Sequence, residues 1–176
     1  MAIKVIRSLA ILMFCVAANA NAEVEPYVGG QYSYIEYDDI LASEHTTFNS
    51  LFARLGAHIN EAISAELRVG VGANDGHVAG NADLQLKSAV GIYIRGGVQA
   101  ADWIYPYIIA GWTRVKFERT EFSGGTSVAS DADISSGVGV DFTLAKGFKL
   151  NLEYMYYFDN SETEFEAASL GFTQSF

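Results

Sequence analysis

The chain has 176 residues, a formal net charge of −10, 17 glycines, only two prolines, and 13% aromatic residues. This length predicts one domain. The composition is too aromatic for a disordered chain, and its acidic balance argues against nucleic-acid binding.

The first 22 residues predict a secretory signal peptide. Lys4 and Arg7 form its basic end, an apolar run follows, and small residues precede two cleavage points, after Ala20 or after Ala22. The only cysteine, Cys15, lies in this segment, so the exported chain has no thiol for a disulfide, a metal site or a nucleophile. Cleavage after Ala22 leaves nine basic residues against 21 acidic ones, a net charge of −12.

The rest of the chain, 23–176, is expected to form one domain of alternating apolar and polar segments. Period-2 alternation predicts strands with two unlike faces. Short connections alternate with longer, polar and mostly acidic ones, as in barrels with turns at one end and loops at the other. The eight predicted strands are residues 25–37, 47–59, 63–73, 83–97, 103–118, 131–144, 147–159 and 165–176.

Two of these segments raise questions of facing. In the fourth segment the alternation predicts Leu86 outward and Lys87 inward. In the fifth, Ile108 and Trp112 share one apolar face with Ala110, but Arg114 and Lys116 have the same parity and would then lie beyond the bilayer, unless a bulge switches the faces. We expect the Ile108 face to point outward, because "PYIIAGWT" parallels "PYVGGQYS" in the first segment.

A soluble lipocalin-like barrel and a membrane barrel share this strand pattern. Several observations favour the membrane barrel. Its polar faces carry both signs of charge, and the last residue is a phenylalanine on an apolar face. Aromatic residues also gather where the membrane interfaces would fall, among them Tyr32, Tyr34, Tyr154, Tyr156 and Phe158. We therefore predict an all-β, eight-stranded antiparallel up-and-down transmembrane β-barrel.

In such a barrel the polar faces line the lumen, where opposite charges can pair. The candidate lumen network comprises Arg54, His58, Glu66, Arg68, Lys87, Arg95, Asp141, Lys149, Asn151 and Glu153. His45 and His77 fall in predicted loops without a nucleophile–base signature, and acidic surface loops are usually solvated. We expect no catalytic, cofactor or metal site.

The segments "PYVGGQYSY", "GVGVDF", "LNLEYMYYFD" and "LGFTQSF" resemble the small OmpA-type and opacity-protein-type outer-membrane barrels of Gram-negative bacteria. The resemblance implies that the insertion machinery reads the aromatic last strand through Phe172 and Phe176. It also implies that Glu153 points into the lumen, whereas Asn151 stands where that family often has arginine. We expect the barrel domain only, without the peptidoglycan-binding domain of longer OmpA proteins.

The expected function is that of an integral outer-membrane protein, reached by export, with a structural or surface-interaction role and a lumen filled by polar side chains. A narrow pore for small solutes is the alternative, and a lipid A-modifying enzyme is a weaker one. The expected partners are outer-membrane lipid and lipopolysaccharide, the barrel-insertion machinery, periplasmic chaperones, and extracellular ligands of the acidic loops. No nucleic acid is expected.

Overall fold

The computed structural model describes residues 24–39, 44–74, 76–78, 82–120, 126–159 and 163–176, so the predicted signal peptide lies outside the described residues. None of the described residues forms a helix long and apolar enough to cross a membrane. The strands are β1 (Glu25–Asp39), β2 (Glu44–His58), β3 (Ile63–Gly72), β4 (Gly76–Val78), β5 (Ala82–Gly97), β6 (Ile104–Thr120), β7 (Thr126–Ala145), β8 (Phe148–Asp159) and β9 (Thr163–Ser175).

These strands close into an antiparallel barrel. Successive strands pair along the chain, and β1 pairs with β9 from Tyr27↔Ser175 to Asp39↔Thr163, which joins the first strand to the last. The three-residue β4 pairs with β5 beyond the end of β3, so both strands occupy one position around the wall. The barrel therefore has eight strand positions, as the alternation predicted.

The alternation also sets the two faces of the wall. In β2, for example, Arg54 is fully buried, whereas its neighbour Leu55 is 48% exposed. The charged face thus points into the barrel and the apolar face points out, the reverse of a water-soluble sheet. The large apolar side chains on the outer surface include Val28, Leu51, Leu55, Val69, Ile92, Ile94, Ile108, Trp112, Ile134, Val138, Leu152 and Leu170.

Tight turns mark one end of the barrel, here called the turn end, where β1 also begins and β9 ends. In the turn between β2 and β3, the Asn60 side-chain oxygen accepts hydrogen bonds from the Ala62 and Ile63 backbone N–H groups. In the turn between β7 and β8, Gly147 has a φ of +74°, a conformation that favours glycine. The opposite end, where the connections outside the described residues fall, is called the loop end.

At the loop end the strands extend beyond a membrane-spanning length, so the loops are shorter than the sequence predicted. The β6–β7 ladder runs unbroken from Ile104↔Phe142 to Thr120↔Thr126. By contrast, β8 pairs with β7 only as far as Ser136↔Tyr156. A membrane-spanning strand needs only about 9–11 residues, whereas β7 has 20. Both arms of this hairpin therefore project beyond a membrane-spanning length, with β6 still paired to β5 as far as Asp83↔Thr120 and β7 unpaired on its β8 side.

Candidate functional site

Six buried charged side chains meet in the turn half of the lumen, and we call them the lumen ionic cluster. They come from β2, β3, β5, β7 and β8, and each points inward because of strand parity. Three are cations and three are carboxylates, so the cluster is neutral. Its members are Arg54, Glu66, Arg68, Arg95, Asp141 and Glu153.

Glu66 is one centre of the lumen ionic cluster. Its carboxylate accepts two hydrogen bonds from Arg54, from Nε at 3.0 Å and from Nη2 at 2.8 Å. The Tyr27 hydroxyl donates to it at 2.7 Å, and Arg68 Nε donates to Oε1. Arg95 Nη1 lies 3.6 Å from Oε2. The bidentate arginine contact is a strong form of charge-assisted hydrogen bond.

Glu153 is the second centre. Arg68 Nη1 and Nη2 donate to its two oxygens at 2.5 and 2.8 Å. Tyr107 and Gln31 add hydrogen bonds at 3.0 and 3.3 Å. Since Arg68 also contacts Glu66, a single guanidinium bridges the two carboxylates across the lumen.

Arg95 completes the cluster from β5. Its Nη2 donates to Asp141 Oδ2 at 2.7 Å, and its guanidinium carbon lies 3.7 Å from the centre of the Tyr107 ring. Arg68 lies 4.7 Å from the Tyr93 ring centre in the same way. Each arginine thus has a carboxylate partner, and two have an aromatic face as well, which offsets the cost of burying the charges.

Apolar and aromatic side chains dominate the loop half of the lumen, beside several buried serine and threonine hydroxyls. Ile35, Phe48, Val115, Tyr157 and Phe165, here called the apolar plug, are each at most 2% exposed. The Phe48 and Phe165 ring centres are 5.9 Å apart. The prediction of a lumen filled by polar side chains is therefore wrong for this half. The inward parity of these five residues was read correctly, but near the loop end that face carries aromatic and branched side chains.

The family and the fold are shown by comparison with known proteins. The family model described as the outer membrane protein beta-barrel domain matches residues 7–176. The chain belongs to this family. No curated protein sequence matches the chain.

The fold is shared with solved structures at low sequence identity, among them the following three. Neisserial surface protein A (NspA) is 14% identical with a TM-score of 0.66, and the match covers 86% of this chain and 97% of NspA. Ail, the attachment invasion locus protein of Yersinia pestis, is 13% identical with a TM-score of 0.65, and the match covers 88% of this chain and 99% of Ail. OprG of Pseudomonas aeruginosa is 12% identical with a TM-score of 0.59, and the match covers 88% of this chain and 96% of OprG. The protein is thus an outer-membrane β-barrel, and its outer apolar surface faces lipid.

Three further residues of this outer-membrane barrel that were predicted to line the lumen lie beside the lumen ionic cluster or at the turn-end mouth. Asn151 is fully buried and pairs in register with Asp141, but within the described part of the chain its side chain makes no hydrogen bond. His58 and Lys149 lie at the turn-end mouth, where they line an open cavity of about 750 Å³. The Lys149 ammonium lies 5.7 Å from the Tyr105 ring centre there.

Lys87 is outside the lumen, so its predicted position was wrong. The β5–β6 register shifts between Leu86 and Ser88, which reverses the facing of the residues beyond it. Leu86 is consequently buried within the lumen, whereas the Lys87 side chain is exposed and its ammonium lies 2.9 Å from Glu118 Oε1. A trace of this bulge exists in the sequence, where Ser88 interrupts the outward apolar positions.

The structure shows which face of β6 points outward. Ile108 is 68% exposed, Trp112 is 57% exposed and Ala110 is exposed, which confirms the expected outward face. The β6–β7 ladder has no register shift, so Arg114 and Lys116 also lie on the outer surface. Their position beyond the apolar positions of β6 resolves the conflict that the sequence raised.

Sequence reasoning missed the uncharged partners of the cluster. Tyr27, Tyr107 and Gln31 donate to its carboxylates, while the Tyr93 hydroxyl lies 2.5 Å from that of Thr113. All are buried and share the inward parity of the charged residues. That parity is the sequence signal that could have identified them, since an aromatic hydroxyl on a charged face has hydrogen-bond partners within reach.

The remaining predicted positions lie at the two ends. Phe172 and Phe176 are exposed on the outer surface near the turn end, and the Phe172 ring stacks on Phe148 with centres 6.2 Å apart. Their role as an insertion signal stays a prediction. The side chains of His45, His77 and Phe158 lie outside the described residues.

Proposed function

We propose that this protein is a closed, non-conducting outer-membrane barrel that acts through its loop end. The observation that carries the proposal is the filling of the lumen by two successive layers, the lumen ionic cluster and the apolar plug. The short turns of such barrels face the periplasm and the longer connections face outward. The loop end is therefore the surface that the protein presents outside the cell.

The ionic layer supports closure because its groups are already paired. Arg54, Arg68 and Arg95 each have a carboxylate within hydrogen-bond reach, so a passing ion would have to displace a buried pair. The plug adds a barrier of another kind, because its packed rings occupy the loop half of the lumen. An eight-stranded barrel is just wide enough to be filled by side chains in this way.

The projecting β6–β7 hairpin supports a surface role. Beyond Ser136, β7 is not paired with β8, so one edge of the hairpin is open. The Asp131 and Asp133 carboxylates accept hydrogen bonds from the backbone N–H groups of Ala132 and Ile134, at 2.8 and 2.7 Å. These bonds satisfy donors that would otherwise attract another strand. A barrel of the same fold, Ail, has been crystallised with the heparin analogue sucrose octasulfate.

Conductance across planar bilayers tests the proposal. The purified protein is refolded, its compact state is verified by a gel band that shifts on boiling, and its insertion is verified by protease protection. We expect no conductance steps from the inserted barrel. Reproducible steps that scale with the amount of folded protein would refute the closed lumen and establish the pore alternative.

A further inference from the structure

The basic residues of the barrel are distributed unevenly. Beyond residue 22 there are nine, of which three belong to the lumen ionic cluster. Lys146 and Lys149 lie at the turn end. The other four all fall near the loop end of β5 and β6. Three of those four have described side chains, all exposed, and we call them the outer basic patch: Lys87, Arg114 and Lys116.

The strand register brings the patch together on the lipid side of the wall. Arg114 and Lys116 are two residues apart on the same face of β6, and Ser88, next to Lys87, pairs with Lys116. Arg114 Nε donates to Ser130 Oγ at 3.2 Å, and Lys87 is bridged to Glu118. With that one carboxylate counted, the patch retains a local excess of two positive charges.

The height of the patch suits the headgroup layer. Ile104 begins β6 at the turn end, and Arg114 is ten residues further along the strand. With a rise of about 3.4 Å per residue and a tilt of about 40°, this is about 26 Å along the barrel axis. The apolar band of such barrels is about 25 Å tall. The exposed Trp112 ends the band, as aromatic residues do at membrane interfaces.

We propose that the outer basic patch binds the phosphate groups of a phosphorylated glycolipid in the outer leaflet. Cations on the lipid face are costly within the apolar band and favourable beside anionic headgroups just beyond it. Arginine suits phosphate because its planar guanidinium can donate two parallel hydrogen bonds. On β1 and β9, by contrast, Glu36 and Glu166 pair directly in register, so that sector of the wall repels phosphate.

Binding of lipid A to the refolded barrel in zwitterionic detergent micelles tests this inference. The test variant is Arg114→Gln with Lys116→Gln. The matched control, Lys146→Gln with Lys149→Gln, removes the same charge at the turn end. We expect the test variant to bind bisphosphorylated lipid A about tenfold more weakly or worse, and the control to bind like the wild type. The heat-shifted gel band verifies that each variant is folded.

Several results would overturn the site. Unchanged binding by the test variant, or equal losses in both variants, would show that the patch is not the binding surface. Inorganic phosphate or a heparin oligosaccharide that binds as tightly as lipid A would show that a membrane lipid is not the ligand. The inference rests on the proposed outward orientation of the loop end. A folded, non-conducting barrel without lipid A affinity would refute the site and leave the closed lumen standing.

Discussion

Replacing Glu66 by glutamine is expected to leave one identifiable charge without a partner. Arg68 keeps its bidentate contact with Glu153, and Arg95 keeps Asp141. Arg54 is different, because Glu66 is its carboxylate partner in the described part of the chain and its side chain is fully buried. The substitution therefore leaves the lumen with three cations against two carboxylates, and the excess charge falls on Arg54.

The size of the effect follows from this geometry. Removing one partner of a buried ion pair typically costs about 3–5 kcal/mol. We expect the free energy of unfolding of Glu66→Gln to fall by that amount. Adding Arg54→Met restores neutrality. The glutamine oxygen can still accept from Arg68, and the glutamine NH2 group can donate to the Tyr27 hydroxyl. The double variant is therefore expected to lie within about 2 kcal/mol of the wild type, since apolar replacement of a buried pair is often near neutral.

Urea titration of reversible folding in lipid vesicles measures both values. The two tryptophans, Trp103 and Trp112, are exposed on the outer surface, so their fluorescence reports contact with lipid. A loss below about 1 kcal/mol in Glu66→Gln would show that the pair is not needed to hold Arg54. A double variant as unstable as the single one would also refute the reasoning, because neutrality would then not matter.

Two other predictions use the same titration. Leu152→Arg puts a charge on the lipid face and should lower the free energy of unfolding by about 2–4 kcal/mol. Val128→Arg, in the projecting hairpin, should lower it by about 0–1 kcal/mol. Equal losses in the two variants would contradict the assigned facing. Gly70→Ala should cost about 1–3 kcal/mol because the added carbon overlaps the Phe52 ring. Gly96→Ala is its control, since the nearest side-chain atom lies 4.0 Å away, and a Gly70→Ala variant as stable as this control would contradict the packing.

Strand parity explains why much of the barrel was predictable. Each strand position has two faces, and a single charged or apolar residue indicates which face is which. Arg54, Glu66 and Glu153 were assigned inward on that basis, and all are buried in the lumen. The same rule failed at Lys87, because one extra residue in a strand reverses every facing beyond it and alternation alone does not place the bulge.

The lumen contents were harder to anticipate. Inward aromatic residues such as Phe48 and Phe165 were visible as single positions, but their grouping into one layer depends on how the strands are staggered around the barrel. The projecting hairpin has the same origin. Whether Thr126–Ser135 lies within the wall depends on where β8 stops pairing with β7, which neither strand shows by itself.

The sequence by itself determined the strand number, most of the lipid-facing surface and the inward charges apart from the error at Lys87, because each of these is a property of local alternation. Only the tertiary structure decided which charges pair. Arg68 and Glu153 are 85 positions apart, and they meet because the barrel closes with a particular stagger. That closure also stacks the neutral ionic cluster beneath the apolar plug, and it collects the outer cations at one height above the lipid-facing band.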